Sequence, residues 1–350
     1  MSYIFRSDSV QPGERVVARR KYLSDAAPGA QPTTVFSDVI GHVLSVDPLV
    51  IRPQQVGGYP STLDAVTISE DELYVVKKLS PRTVRNSDIR NVELAYSKAF
   101  PGIEHSWCGQ WLLRAGDGVT ERSNSAAPLG PSAPFEALPV EEIREFYARH
   151  GLPPRVMIPE RIGKPAEALA GREGWELGPE IIVMTRALGE EGDAPVEVEL
   201  PESAAAYDFE VADQPDRDWL KMYHFRGQPL PEHALNLLRE NIEGTMGFGR
   251  LRVARGADAG RTVAITRGTV TEAGRHTYLG YSAVEVAEDH RRRGLGTLLG
   301  ARMLQWGREK GADQAYLQVI ASNQAGISLY EKLGFLEHHR HRYATLPPVG

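Results

Sequence analysis

The sequence predicts a mixed α+β or α/β protein with three domains. The first 80 residues hold short β-rich runs without a convincing helix, the middle alternates helices and strands, and an apolar strand near residue 280 leads into a glycine loop and a helix. A chain of 350 residues exceeds one ordinary domain and suggests two or three. We place them at residues 1–82, 90–188 and 195–350, with an acidic boundary before the last.

The N-terminal segment is predicted to be a small β-barrel. Five short β-rich runs lie before residue 80, and proline and glycine pairs separate them. So many short strands in so few residues favour a barrel. Arg19, Arg20 and Lys21 on the first run could form a docking patch, although a solvated strand end explains them equally well.

The middle segment has the same order of elements as the C-terminal segment. We predict a helix at 92–100, then a hairpin that joins 110–115 to 119–124 through Gly116-Asp117-Gly118, then helix, strand, helix and strand. The segment lacks the glycine loop of the C-terminal part, so we expect it to bind no cofactor of its own.

Four polar or aromatic residues of the middle segment could line a substrate cleft. They are Trp107, Trp111, Arg114 and Asn124. Packing in the core is a simpler explanation for both tryptophans.

The most informative stretch is the strand, loop and helix at residues 278–299. The strand 278–286 is rich in aromatic and β-branched residues. Gly294 and Gly296 allow a tight turn and a close approach to a ligand, and the first amides of the following helix have no backbone partners. With three arginines beside it, this helix start is an anion site that suits phosphate.

The spacing of the loop residues indicates which phosphate ligand the site suits. It fits neither GxGxxG nor GxxxxGK[ST], so dinucleotide and P-loop sites have no support. Arg291, Gly294 and Gly296 instead match Arg-x-x-Gly-x-Gly.

A second motif follows a predicted strand at 315–320. Asn323 can cap a helix, Tyr330 lies seven residues further on, and Leu-Gly-Phe ends the helix at 333–335. Gly326 departs from the pattern, where an alanine is more usual. In this order the two motifs resemble the acetyl-CoA pyrophosphate loop and the second signature of the GNAT superfamily, the GCN5-related N-acetyltransferases.

The resemblance implies a GNAT fold, a mixed central sheet flanked by helices. The middle segment then resembles a degenerate GNAT-like unit. The phrase PGERVVARR, with a later Gly-His-Val strand and an Asp-Pro turn, resembles the SH3-like domain that some actinobacterial GNAT proteins carry at their N-terminus.

The resemblance also implies which residues bind acetyl-CoA. In such proteins the strands before and after the loop helix diverge, and the pantetheine arm lies in the gap. Val284 and Val286 would offer their backbone to it, Asn323 would hold it, and the Val286 N–H would face the thioester oxygen as an oxyanion donor. Tyr330 would protonate the departing thiolate. The loop contacts would come from Arg291, Arg292, Arg293, Gly294, Leu295, Gly296 and Thr297.

The general base has two candidates. Glu285 is a carboxylate in an apolar strand, which suggests a catalytic role, although a salt bridge to an arginine or a neighbouring helix explains it as well. Alternation puts Glu285 opposite Val284 and Val286, but the sequence does not say which face meets substrate. His224 lies where the family places substrate-contacting helices, and it could equally be an ordinary half-buried histidine.

Two functions are compatible with these motifs. The first is an N-acetyltransferase that passes the acetyl group of acetyl-CoA directly to a primary amine of a small molecule or of a protein lysine or N-terminus. The second is a regulatory protein that senses acetyl-CoA without turnover. Tyr330 and Asn323 favour the enzyme, because a sensor has no need of an acid for the thiolate.

Composition excludes several other classes. The net charge of −6 and a pI near 6.0 give no reason to expect nucleic acid as a partner. No stretch approaches eighteen apolar residues, so no membrane span is expected. Cys108 is the only cysteine, which excludes an intrachain disulfide and favours the cytoplasm. The oligomeric state is not indicated.

Three histidines near the C-terminus raise the question of zinc. We expect strand alternation to separate His339 from His338 and His341, and no other clustered ligand is evident. We therefore predict no metal site.

Overall fold

The computed structural model describes residues 9–23, 33–172, 174–189, 200, 202–225, 228–229 and 242–347. The chain separates into two compact units, Met1–Arg85 and Asn86–Gly350. Within the described ranges, no helix is both long enough and apolar enough to cross a bilayer.

The first unit is a five-stranded antiparallel sheet in the order β4-β3-β2-β1-β5. Its strands are β1 (Arg15–Leu23), β2 (Thr34–Val46), β3 (Leu49–Pro53), β4 (Val66–Ile68) and β5 (Leu73–Lys78), with a 3₁₀ turn at Val56–Gly58. Val16, Val43 and Ile51 form part of its core. The predicted closed, SH3-like barrel is not confirmed, because the described strands β4 and β5 are the two edges of the sheet and do not pair.

Part of the basic stretch on β1 is neutralised within this sheet. The Arg19 guanidinium donates to both carboxylate oxygens of Asp38 on β2, at 2.7 and 2.9 Å. This hydrogen bonding lowers the pKa of Asp38. Such an exposed pair contributes little to stability, but it leaves less charge for a docking patch.

The second unit contains the remaining helices and strands. Its helices are α1 (Asn86–Ala99), α2 (Val140–Arg149), α3 (Lys164–Ala170), α4 (Arg217–Met222), α5 (Leu295–Glu309) and α6 (Gln324–Lys332). Its strands are β6 (Glu104–Cys108), β7 (Trp111–Ala115), β8 (Arg155–Pro159), β9 (Glu176–Leu177), β10 (Ile181–Ala187), β11 (Tyr207–Ala212), β12 (His224–Phe225), β13 (Gln228–Pro229), β14 (Thr245–Val253), β15 (Thr262–Ala273), β16 (His276–Val286), β17 (Gln314–Ile320) and β18 (Leu336–Thr345).

A mixed sheet runs through the whole second unit. Its order is β11-β14-β15-β16-β17-β10-β18-β8, with β9 on β18. Only the β16–β17 pairing is parallel among these described strands. β10 of the middle segment lies between β17 and β18 of the C-terminal segment. The division into 90–188 and 195–350 therefore remains a proposal about ancestry, since one sheet spans both segments.

Helices cover both faces of this sheet. On one face, Tyr96 of α1 and Trp219 of α4 share a core with Ile265 of β15. On the other face, Met303 of α5 shares a core with Leu279 of β16, and the apolar side of α6 packs there too. We call these the α1/α4 face and the α5/α6 face.

The predicted hairpin in the middle segment is wrong. β7 pairs with β6, and the reversal lies at Gly109, whose φ is 55°. Residues 116–124 form a loop instead, because the Asn124 Oδ1 accepts hydrogen bonds from the N–H groups of Gly116 and Gly118 at 2.8 and 3.1 Å. A side chain thus satisfies backbone donors that a hairpin partner would have used.

The predicted separation of the histidines is also wrong. His339 and His341 lie two residues apart on one face of β18, and both are fully buried against Glu93 of α1. The Glu93 Oε1 accepts from His339 Nε2 at 2.8 Å and from His341 Nδ1 at 2.7 Å. Burial raises the pKa of Glu93, but the two imidazoles outweigh it and leave that pKa below its usual value.

These three side chains also bear on the prediction about metals. Their ligand atoms lie within 4.8 Å of one another, a grouping that could hold a metal ion. Glu93 is the ligand that the sequence pattern did not reveal, because it lies 246 residues from His339. The absence of a metal stays a prediction.

Candidate active site

The site is built around a gap between β16 and β17. Their parallel pairing runs from Tyr278↔Gln314 to Tyr281↔Leu317 and then stops. β17 stays paired with β10 to its last residue, whereas β16 bends at a bulge where Ala283 has a φ of 55°. The strands diverge beyond this bulge, which is the arrangement that the resemblance predicts.

The backbone of β16 offers hydrogen-bond donors to this gap. The Ala287 N–H donates to Val263 O of β15 at 2.8 Å. Because amides alternate along a strand, the N–H groups of Val286 and Val284 point away from β15, toward the gap. Both valine side chains pack with Leu295 on the α5/α6 face.

The predicted anion site is the loop after β16. A 3₁₀ turn at Glu288–His290 leads into the three arginines, all exposed, and Gly294 with a φ of 77° precedes α5. No side chain caps α5, so the first amides, those of Leu295, Gly296 and Thr297, are left for a ligand. The Leu295 side chain is buried, and only its backbone can take part.

Gly296 has a packing role besides its predicted one. A Cβ at this position would come within 3.0 Å of Leu329 on α6. Gly296, the second glycine of the motif, therefore lets α5 and α6 pack closely against each other, and it also leaves room for a ligand.

Asn323 and Tyr330 lie at the two ends of one helix. The Asn323 Oδ1 accepts from the Gly326 N–H at 3.0 Å, which confirms the predicted N-cap and leaves the amide nitrogen uninvolved in capping. Burial raises the pKa of Tyr330 to about 12, the Arg122 charge lowers it and the Glu285 charge raises it. The phenol therefore stays protonated at neutral pH.

Glu285 and His224 face each other on the α1/α4 face. Glu285 pairs with Ile265, whose side chain belongs to the core of that face. Burial raises the pKa of Glu285, although His224 and Arg291 oppose the shift. His224 Nδ1 donates to Met222 O at 2.8 Å, so in the neutral ring Nε2 carries the lone pair. That nitrogen of His224 and the Glu285 carboxylate are the two candidate proton acceptors on this face.

A cavity of about 230 Å³ passes through the gap and connects the two faces. Asn323 and Tyr330 line its α5/α6 side, and Glu285 and His224 line its α1/α4 side. Glu285 and His224 also border a second hollow of about 530 Å³ that reaches Arg291. An acceptor could therefore reach the gap from the face opposite α5.

Several lining residues were not found by sequence reasoning. They are Tyr96, Phe100, Glu121, Arg122, Tyr223 and Tyr343. Of the four predicted cleft residues none lines this cavity: Trp111, Arg114 and Asn124 are buried elsewhere and Trp107 is 55% exposed. Core packing was the better of the two interpretations for Trp111.

The chain resembles named acetyltransferases over most of its length. The family described as "Probable histone acetyltransferase Rv0428c C-terminal" matches residues 86–344. Probable histone acetyltransferase Rv0428c of Mycobacterium tuberculosis is 32% identical over 340 residues, which cover 97% of this chain and 96% of that relative. The uncharacterized N-acetyltransferase YobR of Bacillus subtilis is 26% identical over 263 residues, 73% of this chain and 98% of YobR.

A solved structure shares the fold. A GCN5-related N-acetyltransferase from Kribbella flavida has a TM-score of 0.54 at 18% identity, and the match covers 76% of this chain and 98% of that chain. The matched family spans the same second unit that holds the gap, the loop and Tyr330. The chain therefore belongs to the Rv0428c C-terminal family of GNAT N-acetyltransferases, and it is an acyltransferase enzyme.

Proposed function

We propose that this enzyme transfers the acetyl group of acetyl-CoA directly to a primary amine. The observation that supports this most is the continuous cavity through the gap, which joins the Tyr330 phenol to the carboxylate of Glu285, the residue before the Val286 amide. A loop suited to phosphate begins five residues beyond that amide.

The loop and the gap would bind different parts of acetyl-CoA. The pyrophosphate would bind the amides of Leu295, Gly296 and Thr297 and the arginines at 291–293, because amides at a helix start and guanidinium groups both favour anions. The pantetheine arm would lie in the gap against the backbone of Val284 and Val286, beside Asn323.

The side chains around the gap suit a direct transfer. An alkyl amine has a pKa near 10.4, so only about one molecule in 10³ is nucleophilic at neutral pH. Glu285 would remove the proton, and the Val286 N–H would stabilise the oxyanion as the amine attacks the thioester carbon. The C–S bond then breaks, and Tyr330 would give its proton to the thiolate.

His224 remains the alternative base. It lies beside Glu285, and its Nε2 is available in the neutral ring. We favour Glu285 because its carboxylate belongs to β16 itself, the strand that carries the oxyanion donor. A comparison of Glu285→Gln with His224→Gln in the same assay separates the two.

Further proposals concern the acceptor, the first two segments of the chain and the location of the protein. The name of the M. tuberculosis relative suggests a protein amine, while the cavity also suits a small molecule. We also propose that the first unit is SH3-like, that 90–188 is a degenerate GNAT-like unit, and that the protein works in the cytoplasm, as Cys108 suggests.

The proposal can be tested with a thiol-release assay. The enzyme is incubated with acetyl-CoA and a panel of amines, amino acids and lysine peptides, and free CoA is measured against time. Release that depends on an amine, with an acetylated product by mass spectrometry, is the expected result. Tight acetyl-CoA binding by calorimetry without release for any amine would contradict the proposed reaction.

A further inference from the structure

Three side chains that are able to bind a metal ion meet in the core between α1 and β18. Glu93, His339 and His341 are each 0% exposed. The Glu93 Oε1 lies 2.8 Å from His339 Nε2 and 2.7 Å from His341 Nδ1, and one ligand atom of each residue lies within 4.8 Å of the others. They do not belong to the described wall of the cavity, so the proposed transfer does not use them.

Glu93 has an incomplete set of partners. In the described part of the chain its ion pairs are those with the two histidines, and no lysine or arginine compensates it. Its second oxygen, Oε2, is buried without a hydrogen-bond partner, and so is His341 Nε2. Buried charges are normally paired or coordinate a metal ion, because an isolated charge in the interior is costly. As a network of hydrogen bonds alone, the cluster is only partly satisfied.

A bulge in β18 supplies a partner for the other nitrogen of His339. The β10–β18 register shifts between Val183 and Met184, which pair with His339 and Glu337, so His338 is the extra residue. Its Nδ1 lies 2.7 Å from His339 Nδ1. With an ion on Nε2, His339 would carry its proton on Nδ1 and donate it to His338. Metal-bound histidines usually donate their other N–H in this way, which fixes the tautomer and the orientation of the ring.

The chemistry of the ligands indicates which ion fits. Two imidazole nitrogens and a carboxylate suit zinc, whereas Mg²⁺ and Ca²⁺ prefer oxygen ligands alone. Neighbouring ligand atoms on a tetrahedral zinc lie about 3.3 Å apart, so the contacts to Glu93 Oε1 would lengthen by about half an ångström. If Oε2 also binds, the ion has four protein ligand atoms and the unpartnered oxygen is satisfied.

From these contacts we propose that Glu93, His339 and His341 bind one Zn²⁺, which joins α1 to β18, with His338 as the outer partner of His339. The role is structural, since closed zinc sites stabilise a fold and these ligands lie outside the cavity. The inference goes beyond the proposed acetyl transfer and does not depend on it. It opposes the sequence-based prediction of no metal, which assumed that His339 and His341 lie on different faces.

The test measures the metal content and stability of the full chain. One batch is produced in medium with added ZnCl₂ and another in zinc-depleted medium, and both are desalted before mass spectrometry of the metals. We expect about one zinc per chain in the first batch. Its melting temperature should be higher by about 5 to 10 °C, as for an ion present at about 100 times its Kd.

Variants and spectroscopy locate the ion. Glu93→Gln and His341→Gln should each lose most of the zinc, whereas His105→Asn, a change in an exposed histidine of β6, should keep it. X-ray absorption at the zinc edge of the unmodified chain needs no variant to fold. It should show two imidazole ligands and carboxylate oxygen, with distances near 2.0–2.2 Å and no sulfur.

Three results would overturn the inference. They are less than about 0.1 zinc per chain in the zinc-supplied batch, a zinc content that survives Glu93→Gln and His341→Gln, and an absorption spectrum with sulfur or only water oxygens around the ion. Equal melting temperatures of two batches that differ in zinc would also contradict the structural role. The three side chains would then share protons without a metal ion.

Discussion

The two faces of the gap offer different kinds of groups to the proposed ligands. On the α5/α6 face the donors are mainly backbone amides of residues 284–297, with exposed arginines beside them. On the α1/α4 face the polar groups belong to buried side chains, and these come from residues as far apart in the sequence as Tyr96 and Tyr343. A main-chain site tolerates changes of side chain, so we expect substitutions on the α1/α4 face to have the larger effects.

The largest effect is expected from Glu285→Gln. Removal of the proposed base should lower kcat/KM for an alkyl amine by about 10²–10⁴-fold, because the amine is then left protonated. Acetyl-CoA affinity should stay unchanged, since its site lies on the other face. Thiol release and calorimetry measure the two effects. Glu288→Gln, an exposed neighbour, is the control, and a larger loss in His224→Gln would transfer the role to the histidine.

Glu93→Gln should weaken the packing of α1 on β18 and leave the loop after β16 unchanged. The buried carboxylate accepts from both His339 and His341, and its loss should lower the free energy of unfolding by about 2–4 kcal/mol. Chemical denaturation measures this change, with the exposed Glu145→Gln as control. Unchanged stability would contradict the structural role of the cluster.

Tyr330→Phe tests the proton donor on the α5/α6 face. We expect kcat to fall by about 10- to 100-fold, less than for Glu285→Gln, since a thiolate of pKa near 8.5 is already a fair leaving group. Acetyl-CoA affinity should be retained because the ring still packs edge-on against Tyr281. Wild-type turnover in this variant would remove Tyr330 from the mechanism.

Arg291→Ala tests how far the loop depends on side chains. The backbone amides remain, so acetyl-CoA binding should weaken by only about 3- to 10-fold. Calorimetry measures the change, and Arg275→Ala, an exposed arginine at the β15–β16 turn, should have no effect. A loss of all binding would show that the guanidinium groups outweigh the amides.

The acid limb of the pH profile gives the smallest effect. Burial raises the pKa of Glu285, so the carboxylate is protonated at a higher pH than an exposed one. As pH falls, kcat/KM should therefore begin to drop above the ordinary value of about 4.3. Initial rates from pH 3.5 to 8 at low acceptor concentration measure the midpoint. A midpoint at or below 4.3 would argue for a solvated carboxylate without a role as base.

The two faces also differ in how well the sequence predicts them. Gly294 before α5 and the Asn323 cap of α6 act on residues within one turn of themselves, so short motifs identify them. The acceptor side depends on contacts such as Arg122 with Tyr223, 101 residues apart, and Tyr96 with Tyr343, 247 apart. No local pattern encodes such pairs.

Two errors have different physical origins. Gly116-Asp117-Gly118 has the composition of a tight turn, but the Asn124 side chain takes the hydrogen bonds that a paired strand would have used. His339 and His341 were expected on different faces, although strand alternation puts residues two apart on the same face. Their common partner Glu93 could not be read from a local pattern, because it belongs to a helix that packs on them from far away in the chain.

The position of β10 has a consequence for how this protein can be cut or recombined. A fragment starting at residue 200 would carry every motif residue and yet leave β17 and β18 with bare edges where β10 pairs with both. Exposed edges of this kind favour aggregation. A gene fusion or a truncated expression clone therefore has to retain the chain from Asn86 onward to yield a working transferase.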